Sequence, residues 1–185
     1  MDSISLRHRL RHWRANLSSH EQQQAAEQAA QQFINSDLFF HSQHIACYLP
    51  FMGELDTSPV INTIFQRNKR CYLPVMDVAR PGHMRFLEYR QGDALVKNYI
   101  GILEPRANAR VMQPWALDVV ITPLVAFDLH GNRLGSGCGF YDRMFAGMHD
   151  WAKRPVLCGY AYQAQAVERF DVQPWDVPMD VIITG

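Results

Sequence analysis

Five short apolar runs recur along the chain, and they restrict its fold more than any other sequence feature. Each is four to six residues long and mostly lacks the strict apolar–polar alternation of a half-exposed strand. Such runs are typical of parallel strands that are buried on both faces of a sheet. The five runs occupy residues 44–49, 71–75, 117–122, 156–160 and 181–184.

The N-terminal segment has a different period. Its apolar residues Leu6, Leu10, Trp13 and Leu17 follow one another at intervals of three or four, which predicts a helix over residues 4–17. A second helix is expected to follow and to end near residue 33. Its start has a capping-box pattern, in which Ser18 or Ser19 is followed three residues later by Glu21 or Gln22.

The remaining pattern alternates strands with helices. We expect helices at 57–67, 139–149 and 163–169, a strand with alternating pattern at 84–88, and mostly loop over 91–116. This order predicts an α/β fold: a three-layer α/β/α sandwich with a mainly parallel sheet and an N-terminal helical pair, in one domain spanning residues 1–185. Ligands of such sheets bind beyond the carboxyl ends of the strands.

Composition argues against several classes of function. The 18 basic and 18 acidic side chains cancel, whereas a nucleic-acid-binding protein usually has a basic excess. No apolar run approaches the roughly 20 residues that span a bilayer. The four cysteines form no Cys-x-x-Cys pair, which argues against a zinc knuckle and fits a reducing compartment. We therefore expect a cytoplasmic protein with no nucleic-acid or membrane partner. We also expect a monomer.

The segment 128–142 contains the densest cluster of residues that suit chemistry. Glycines alternate at Gly135, Gly137 and Gly139 between a strand and a helix, so backbone N–H groups can approach an anion closely. The N-terminus of the helix that follows these glycines would also attract an anion. Arg133 can add a forked cationic donor, and Asp142 can hold Mg²⁺ against phosphates. The other interpretation is a tight turn that needs glycine for geometry alone.

This segment resembles the signature of a known family. Residues 131–143, with the sequence GNRLGSGCGFYDR, are similar to the glycine-rich motif of the 5-formyltetrahydrofolate cyclo-ligase family. Further matches follow in the same order at residues 6–18, 48–57 and 175–184, so that the resemblance covers nearly the whole chain. It implies an enzyme that converts 5-formyltetrahydrofolate and ATP to 5,10-methenyltetrahydrofolate, ADP and phosphate, with Mg²⁺.

The resemblance also implies a role for individual positions. We expect Arg133 and Tyr141 to be catalytic and Asp142 and Asp176 to bind Mg²⁺, with Asp180 a lesser candidate. The implied ATP-binding residues are Arg7, Arg133, Leu134, Gly135, Ser136, Gly137, Cys138, Gly139, Phe140 and Tyr141. The implied folate-binding residues are Leu49, Glu54, Ser136, Gly137, Cys138, Gly139 and Phe140.

Several alternatives stay open at this point. Ser3 and Cys138 stand where the family often has lysine, which leaves open a catalytically weak folate- or nucleotide-binding protein of the same fold. Glu54 and Asp176 can also be turn residues, and the arginines of residues 7–14 can be a solvated helix face. A nucleic-acid-binding module and a sugar-phosphate isomerase are the remaining alternatives.

Overall fold

A computed structural model describes residues 2–106 and 109–185. Its sheets contain eleven strands in chain order: β1 (His44–Ala46), β2 (Arg70–Met76), β3 (Met84–Tyr89), β4 (Leu95–Lys97), β5 (Leu103–Pro105), β6 (Val111–Met112), β7 (Val119–Pro123), β8 (Ala126–Phe127), β9 (Arg133–Leu134), β10 (Val156–Ala161) and β11 (Val181–Thr184). Its α-helices are α1 (Ser3–Ala15), α2 (Ser19–Ile34), α3 (Asp37–His41), α4 (Ser58–Gln66) and α5 (Phe140–Phe145).

Seven strands form the central sheet in the order β11-β10-β7-β1-β2-β3-β6. The first five are mutually parallel, and β3 and β6 add an antiparallel edge. All five predicted apolar runs are therefore neighbours in one sheet, as continuous burial on both faces requires. The predicted α/β class and mainly parallel sheet are confirmed.

Each face of the sheet is covered by its own apolar cluster. On one face, α2, α3 and α4 contribute Ala29, Phe33, Phe39 and Ile64 to a cluster with the inner strands. On the other face the cover is thinner and comes largely from α5 and the irregular segments beside it, including the buried Phe145. The result is three layers, one of which is built mostly of short elements.

The second helix begins as its sequence predicts. The Ser18 hydroxyl accepts from the backbone N–H of Glu21, and the Glu21 carboxylate accepts from the backbone N–H of Ser18. Helix α1 carries Leu6 and Leu10 on its buried side, where they pack on Val125 and Leu134 next to the β8–β9 hairpin. This contact places helix α1 beside the glycine-rich segment, whereas α2 packs on the sheet with α3 and α4. In the part of the chain described, no helix is both long and apolar enough to cross a bilayer.

Two predicted helices were wrong in extent. The predicted helix at 139–149 is two pieces, α5 and a 3-10 turn at Met148–Asp150, because Gly147 with φ +71° lies between them. At 163–169 there is only a 3-10 turn, Gln163–Gln165. The described part of 91–116 is mostly irregular, as expected, but it also holds the short strands β4, β5 and β6.

The capping box supports a stability prediction. Replacing Ser18 with alanine leaves the N–H of Glu21 without its acceptor and should lower the free energy of unfolding by about 1 kcal/mol. Ser19→Ala is the matched control, because Ser19 is exposed in the first helical position and caps nothing. Urea unfolding followed by circular dichroism measures both. Equal effects of the two substitutions would contradict the capping role of Ser18.

Candidate functional site at the carboxyl edge of the sheet

Two cavities meet at the edge where the parallel strands end. The larger, about 490 Å³, is lined by the glycine-rich segment, by Arg7 and by the segment that ends at Asp176. The smaller, about 270 Å³, is mostly apolar. Their shared wall consists of Glu54, Pro123, Ser136, Cys138, Phe140 and Tyr141. The edge lies where parallel sheets usually bind ligands.

The carbonyl groups of the glycine loop, residues 135–139, are held by arginines. Arg7 Nε donates to the Gly135 carbonyl at 2.9 Å, and Arg11 donates to the Ser136 carbonyl at 2.8 Å. Arg143 donates to the Cys138 carbonyl and, at 2.7 Å, to the Gly82 carbonyl. The loop is thus fixed on its carbonyl side.

The backbone N–H groups of the same loop remain available to bind a ligand. No backbone N–H from Gly135 to Gly139 donates to another residue in the described parts of the chain. At Gly137 φ is +104°, a conformation that L side chains rarely adopt. A side chain at Gly135 would have its Cβ 2.9 Å from the Arg133 guanidinium. These glycines therefore permit the backbone geometry of an anion-binding loop.

Arg133 lies beneath the loop. Its side chain is 4% exposed and forms an ion pair with Asp142 at 2.5 Å, which the sequence did not predict. Its guanidinium carbon is 5.7 Å from the centroid of the Tyr141 ring, and its Nε is buried without a hydrogen-bond partner among the described residues. The expected phosphate donor and metal ligand are therefore bonded to each other. The pair ties the start of the loop to α5, on which the loop ends.

Tyr141 and Glu54 meet at the shared wall. The Tyr141 hydroxyl is buried and has no hydrogen-bond partner in residues 2–106 and 109–185. Burial together with the nearby Glu54 charge raises the pKa of this hydroxyl well above the ordinary value. Burial also raises the pKa of the Glu54 carboxyl, although the Arg14 and Arg11 guanidinium groups and the Phe51 N–H partly oppose this effect. An unpaired buried hydroxyl at this position is a group that a ligand can satisfy.

The residues expected to bind folate divide between the cavities. Leu49 lines the apolar cavity, and Glu54, Ser136, Cys138 and Phe140 lie in the wall shared by both. The other two, Gly137 and Gly139, line only the larger cavity. Every residue expected to bind ATP, and both expected magnesium carboxylates, line that larger cavity as well.

The two carboxylates provide a donor set of the right type for a nucleotide-bound Mg²⁺. Asp142 and Asp176 line the same cavity, and Mg²⁺ in such sites commonly takes one or two carboxylates together with phosphate and water. Each already accepts a backbone hydrogen bond, Asp142 from Val177 and Asp176 from Gln173. Among the described residues, no group of three His, Cys, Asp or Glu side chains is arranged to hold a metal.

Asp180 has a structural contact instead. It forms two hydrogen bonds to the Arg154 guanidinium, at 2.8 and 2.9 Å, and accepts from the backbone N–H of Leu157. It thereby links the strands β10 and β11 near their start and does not line either cavity.

Sequence reasoning missed three parts of the site. Arg14 was grouped with a solvated helix face but is only 3% exposed. Trp175, which is 69% exposed, lines the larger cavity. The β4–β5 arm covers the apolar cavity with Ile102 and Leu103 and is anchored by Glu104, which accepts from the Met76 N–H. The two strands of this arm, β4 and β5, have three residues each, which is too short for a periodic pattern to be recognised in the sequence.

The fold and this pair of cavities define a class of protein: an α/β enzyme-type scaffold in which an anion-binding loop and an apolar pocket share one wall. The sequence model described as the 5-formyltetrahydrofolate cyclo-ligase family matches residues 2–185. The chain belongs to the 5-formyltetrahydrofolate cyclo-ligase family.

Individual relatives agree with this assignment. The chain is 40% identical over 176 residues to the 5-formyltetrahydrofolate cyclo-ligase of Escherichia coli strain K12, covering 95% of this chain and 96% of that protein. It is 39% identical over 182 residues to the Haemophilus influenzae protein of the same name, covering 97% and 96%. The solved structure of Aquifex aeolicus 5,10-methenyltetrahydrofolate synthetase matches with a TM-score of 0.83 at 30% identity, covering 98% of this chain and 88% of that one.

A second solved structure supports the fold alone. It is the Mycoplasma pneumoniae 5,10-methenyltetrahydrofolate synthetase, with a TM-score of 0.78 at 23% identity, covering 100% of this chain and 99% of that one. The three-layer arrangement therefore persists where most side chains differ.

The ion pair between Arg133 and Asp142 supports a second prediction. Asp142→Ala leaves the buried Arg133 charge unpaired, and breaking a buried pair in this way typically costs about 3 kcal/mol or more. The free energy of unfolding should fall accordingly in urea denaturation. Asp176→Ala is the matched control, because Asp176 forms no ion pair within the described residues and should cost much less. Equal losses would contradict the structural role of the pair.

Proposed function

We propose that this protein catalyses the ATP-dependent cyclisation of 5-formyltetrahydrofolate to 5,10-methenyltetrahydrofolate, with release of ADP and phosphate. The observation that carries the proposal is the shared wall, which puts an anion-binding loop and an apolar pocket in contact at Glu54 and Tyr141. A reaction between ATP and a flat, partly apolar substrate requires such an adjacency. The family membership of the chain supports the same activity.

The chemistry requires two reactive centres in contact. The formyl group on N5 is an amide, and its oxygen leaves poorly as hydroxide. Transfer of the γ-phosphoryl group to that oxygen makes it a phosphate leaving group. N10 then attacks the formyl carbon, phosphate departs with the oxygen, and the N10 proton is lost to water. Phosphoryl transfer depends mainly on alignment and charge stabilisation.

The residues divide between these tasks. The free N–H groups of the glycine loop, together with Arg7, would bind the phosphates of ATP, and the Tyr141 hydroxyl would donate to a group at the junction. Arg133 would act from beneath the loop, through charge and by holding Asp142. Asp142 and Asp176 would hold Mg²⁺, whose contribution is to neutralise phosphate charge. Trp175 offers an exposed aromatic face for the adenine ring.

The apolar cavity would hold the folate. Leu49, Phe140 and the β4–β5 arm provide apolar surface, and Glu54 provides acceptors for the N–H groups of the pterin ring. We further propose that the protein acts as a cytoplasmic monomer. Its neutral net charge gives no support to nucleic-acid binding. The binding-only alternative is not favoured, because the relatives with the highest identity quoted above are named as cyclo-ligases.

The decisive experiment follows formation of methenyltetrahydrofolate by its absorbance. We expect product from 5-formyltetrahydrofolate only when Mg-ATP is present, with one phosphate released per product. A nonhydrolysable ATP analogue in place of ATP is the control and should give none. Binding of both ligands without turnover would instead support the binding-only alternative.

The proposed metal role gives a separate prediction. Asp176→Asn should weaken retention of Mg²⁺, so that activity falls at low Mg²⁺ and recovers at least partly when Mg²⁺ is raised. Asp176 is the suitable position because it can be changed without breaking the ion pair of Asp142. Steady-state rates against Mg²⁺ concentration measure this effect. An activity loss that is independent of Mg²⁺ would contradict a metal role for Asp176.

A further inference from the structure

Arg14 is a buried charge for which the proposed reaction has no assigned use. It lies at the end of α1 with 3% of its surface exposed, yet it has no ion pair within 4.0 Å in the described residues. Burial of an arginine without a direct counter-ion is costly, so a compensating contact is expected. Its hydrogen bonds go to backbone carbonyls, where Nε donates to Met52 at 3.2 Å and an amino group donates to Leu124 at 3.4 Å.

These two carbonyls belong to the segments that build the shared wall. Met52 lies in the turn after β1, and Leu124 directly follows β7. Arg14 therefore bridges the segments that follow two neighbouring parallel strands. The turn also packs directly on Arg14, because a Cβ at Gly53 would lie 3.5 Å from the Arg14 Cγ atom.

The turn at residues 51–54 has an unfavourable backbone conformation. Met52 has φ +50° and Gly53 has φ +73°, and a left-handed conformation is uncommon for a residue such as methionine. Local hydrogen bonds close the turn: the Glu54 N–H donates to the Phe51 carbonyl at 3.2 Å, and the Glu54 carboxylate accepts from the Phe51 N–H at 3.1 Å. Surrounding structure has to maintain such a conformation, and Arg14 supplies a bond to its centre.

Arg14 also acts on Glu54 through charge. Burial lowers the pKa of Arg14 while the Glu54 carboxylate raises it, and Arg14 in turn lowers the pKa of Glu54 against burial. The other groups facing Glu54 are Arg11 on α1, Tyr48 after β1 and Tyr141 on α5, with Arg133 behind Tyr141. Of the two arginines that lower the pKa of Glu54, Arg14 has the larger effect and Arg11 the smaller.

We propose that Arg14 is a positioning residue for substrate binding, which holds the turn at residues 51–54 in place through its hydrogen bond to Met52 and supplies a buried positive charge near the Glu54 carboxylate that receives the pterin ring. This inference rests on the proposed function. The amino-pyrimidinone edge of a pterin presents neighbouring N–H donors, which an ionised carboxylate accepts and a neutral carboxylic acid accepts less well. Arg14 lines the apolar cavity, but the role proposed for it is exerted through the turn and Glu54.

This role of Arg14 predicts a specific pH dependence of the affinity for folate. If ionised Glu54 binds the pterin, affinity is present above the pKa of Glu54 and is lost as the pH falls through it. Removing the Arg14 charge raises that pKa, so the loss of affinity should begin at a higher pH. A merely structural role would weaken binding by the same factor at every pH.

The test is calorimetric titration with 5-formyltetrahydrofolate, without ATP, from about pH 5 to pH 8. We expect Arg14→Gln to shift the affinity midpoint to higher pH and to weaken binding about tenfold near the wild-type midpoint, the cost of one charge-assisted hydrogen bond. Arg14→Lys, which keeps the charge, should retain the wild-type midpoint. Arg9→Gln is the matched control on the exposed side of α1 and should behave as wild type.

One further measurement separates the outcomes. In the Glu54→Gln background, Arg14→Gln should cause no pH-dependent change in the affinity for folate, because the titrating carboxyl is absent. A uniform affinity loss for Arg14→Gln, or a midpoint shift in Arg14→Lys, would overturn the proposal. If Arg14→Gln does not fold, the Arg14→Lys profile decides in the same way. Absence of folate binding by the wild-type protein at every pH would refute the proposed function instead.

Discussion

The parallel pairing of β1 with β7 is the constraint on which the site depends. Their register, Ile45 opposite Val119 and Ala46 opposite Val120, makes both strands leave the sheet at the same edge. The turn carrying Glu54 follows β1, and the hairpin leading to the glycine loop follows β7. Because parallel strands end together, segments about 80 residues apart in sequence form one wall. An antiparallel pairing would send them to opposite edges.

Helix α1 then fixes the orientation of that wall. Leu6 and Leu10 dock next to the β8–β9 hairpin, which sets the depth and rotation of the helix. Arg7, Arg11 and Arg14 consequently point at backbone carbonyls of the two segments. Fixed guanidinium donors on the carbonyl side leave the loop N–H groups for a ligand. An arginine-rich helix can thus shape an anion-binding loop without every arginine touching the anion.

The accuracy of sequence reasoning followed the strength of the local signal. The buried strands and the Ser18 cap were predicted because each depends on adjacent residues. The turn at Gln163–Gln165 was mistaken for a helix, since its conformation depends on the Gln165 side chain donating to the carbonyls of Leu124 and Val125, which lie about 40 residues away. The direction of β3 and the strands of the β4–β5 arm likewise depend on partners that no local period reveals.

By itself, the sequence determined the class of fold, the glycine spacing of the loop and the residue types available to the site. The tertiary structure decided which charges meet. It paired Arg133 with Asp142, directed Asp180 to Arg154, and buried Arg14 near Glu54. Periodicity and glycine geometry act between near neighbours in the chain, so a sequence records them directly. Electrostatic interactions depend on distance and burial, and those quantities exist only after distant segments have packed together.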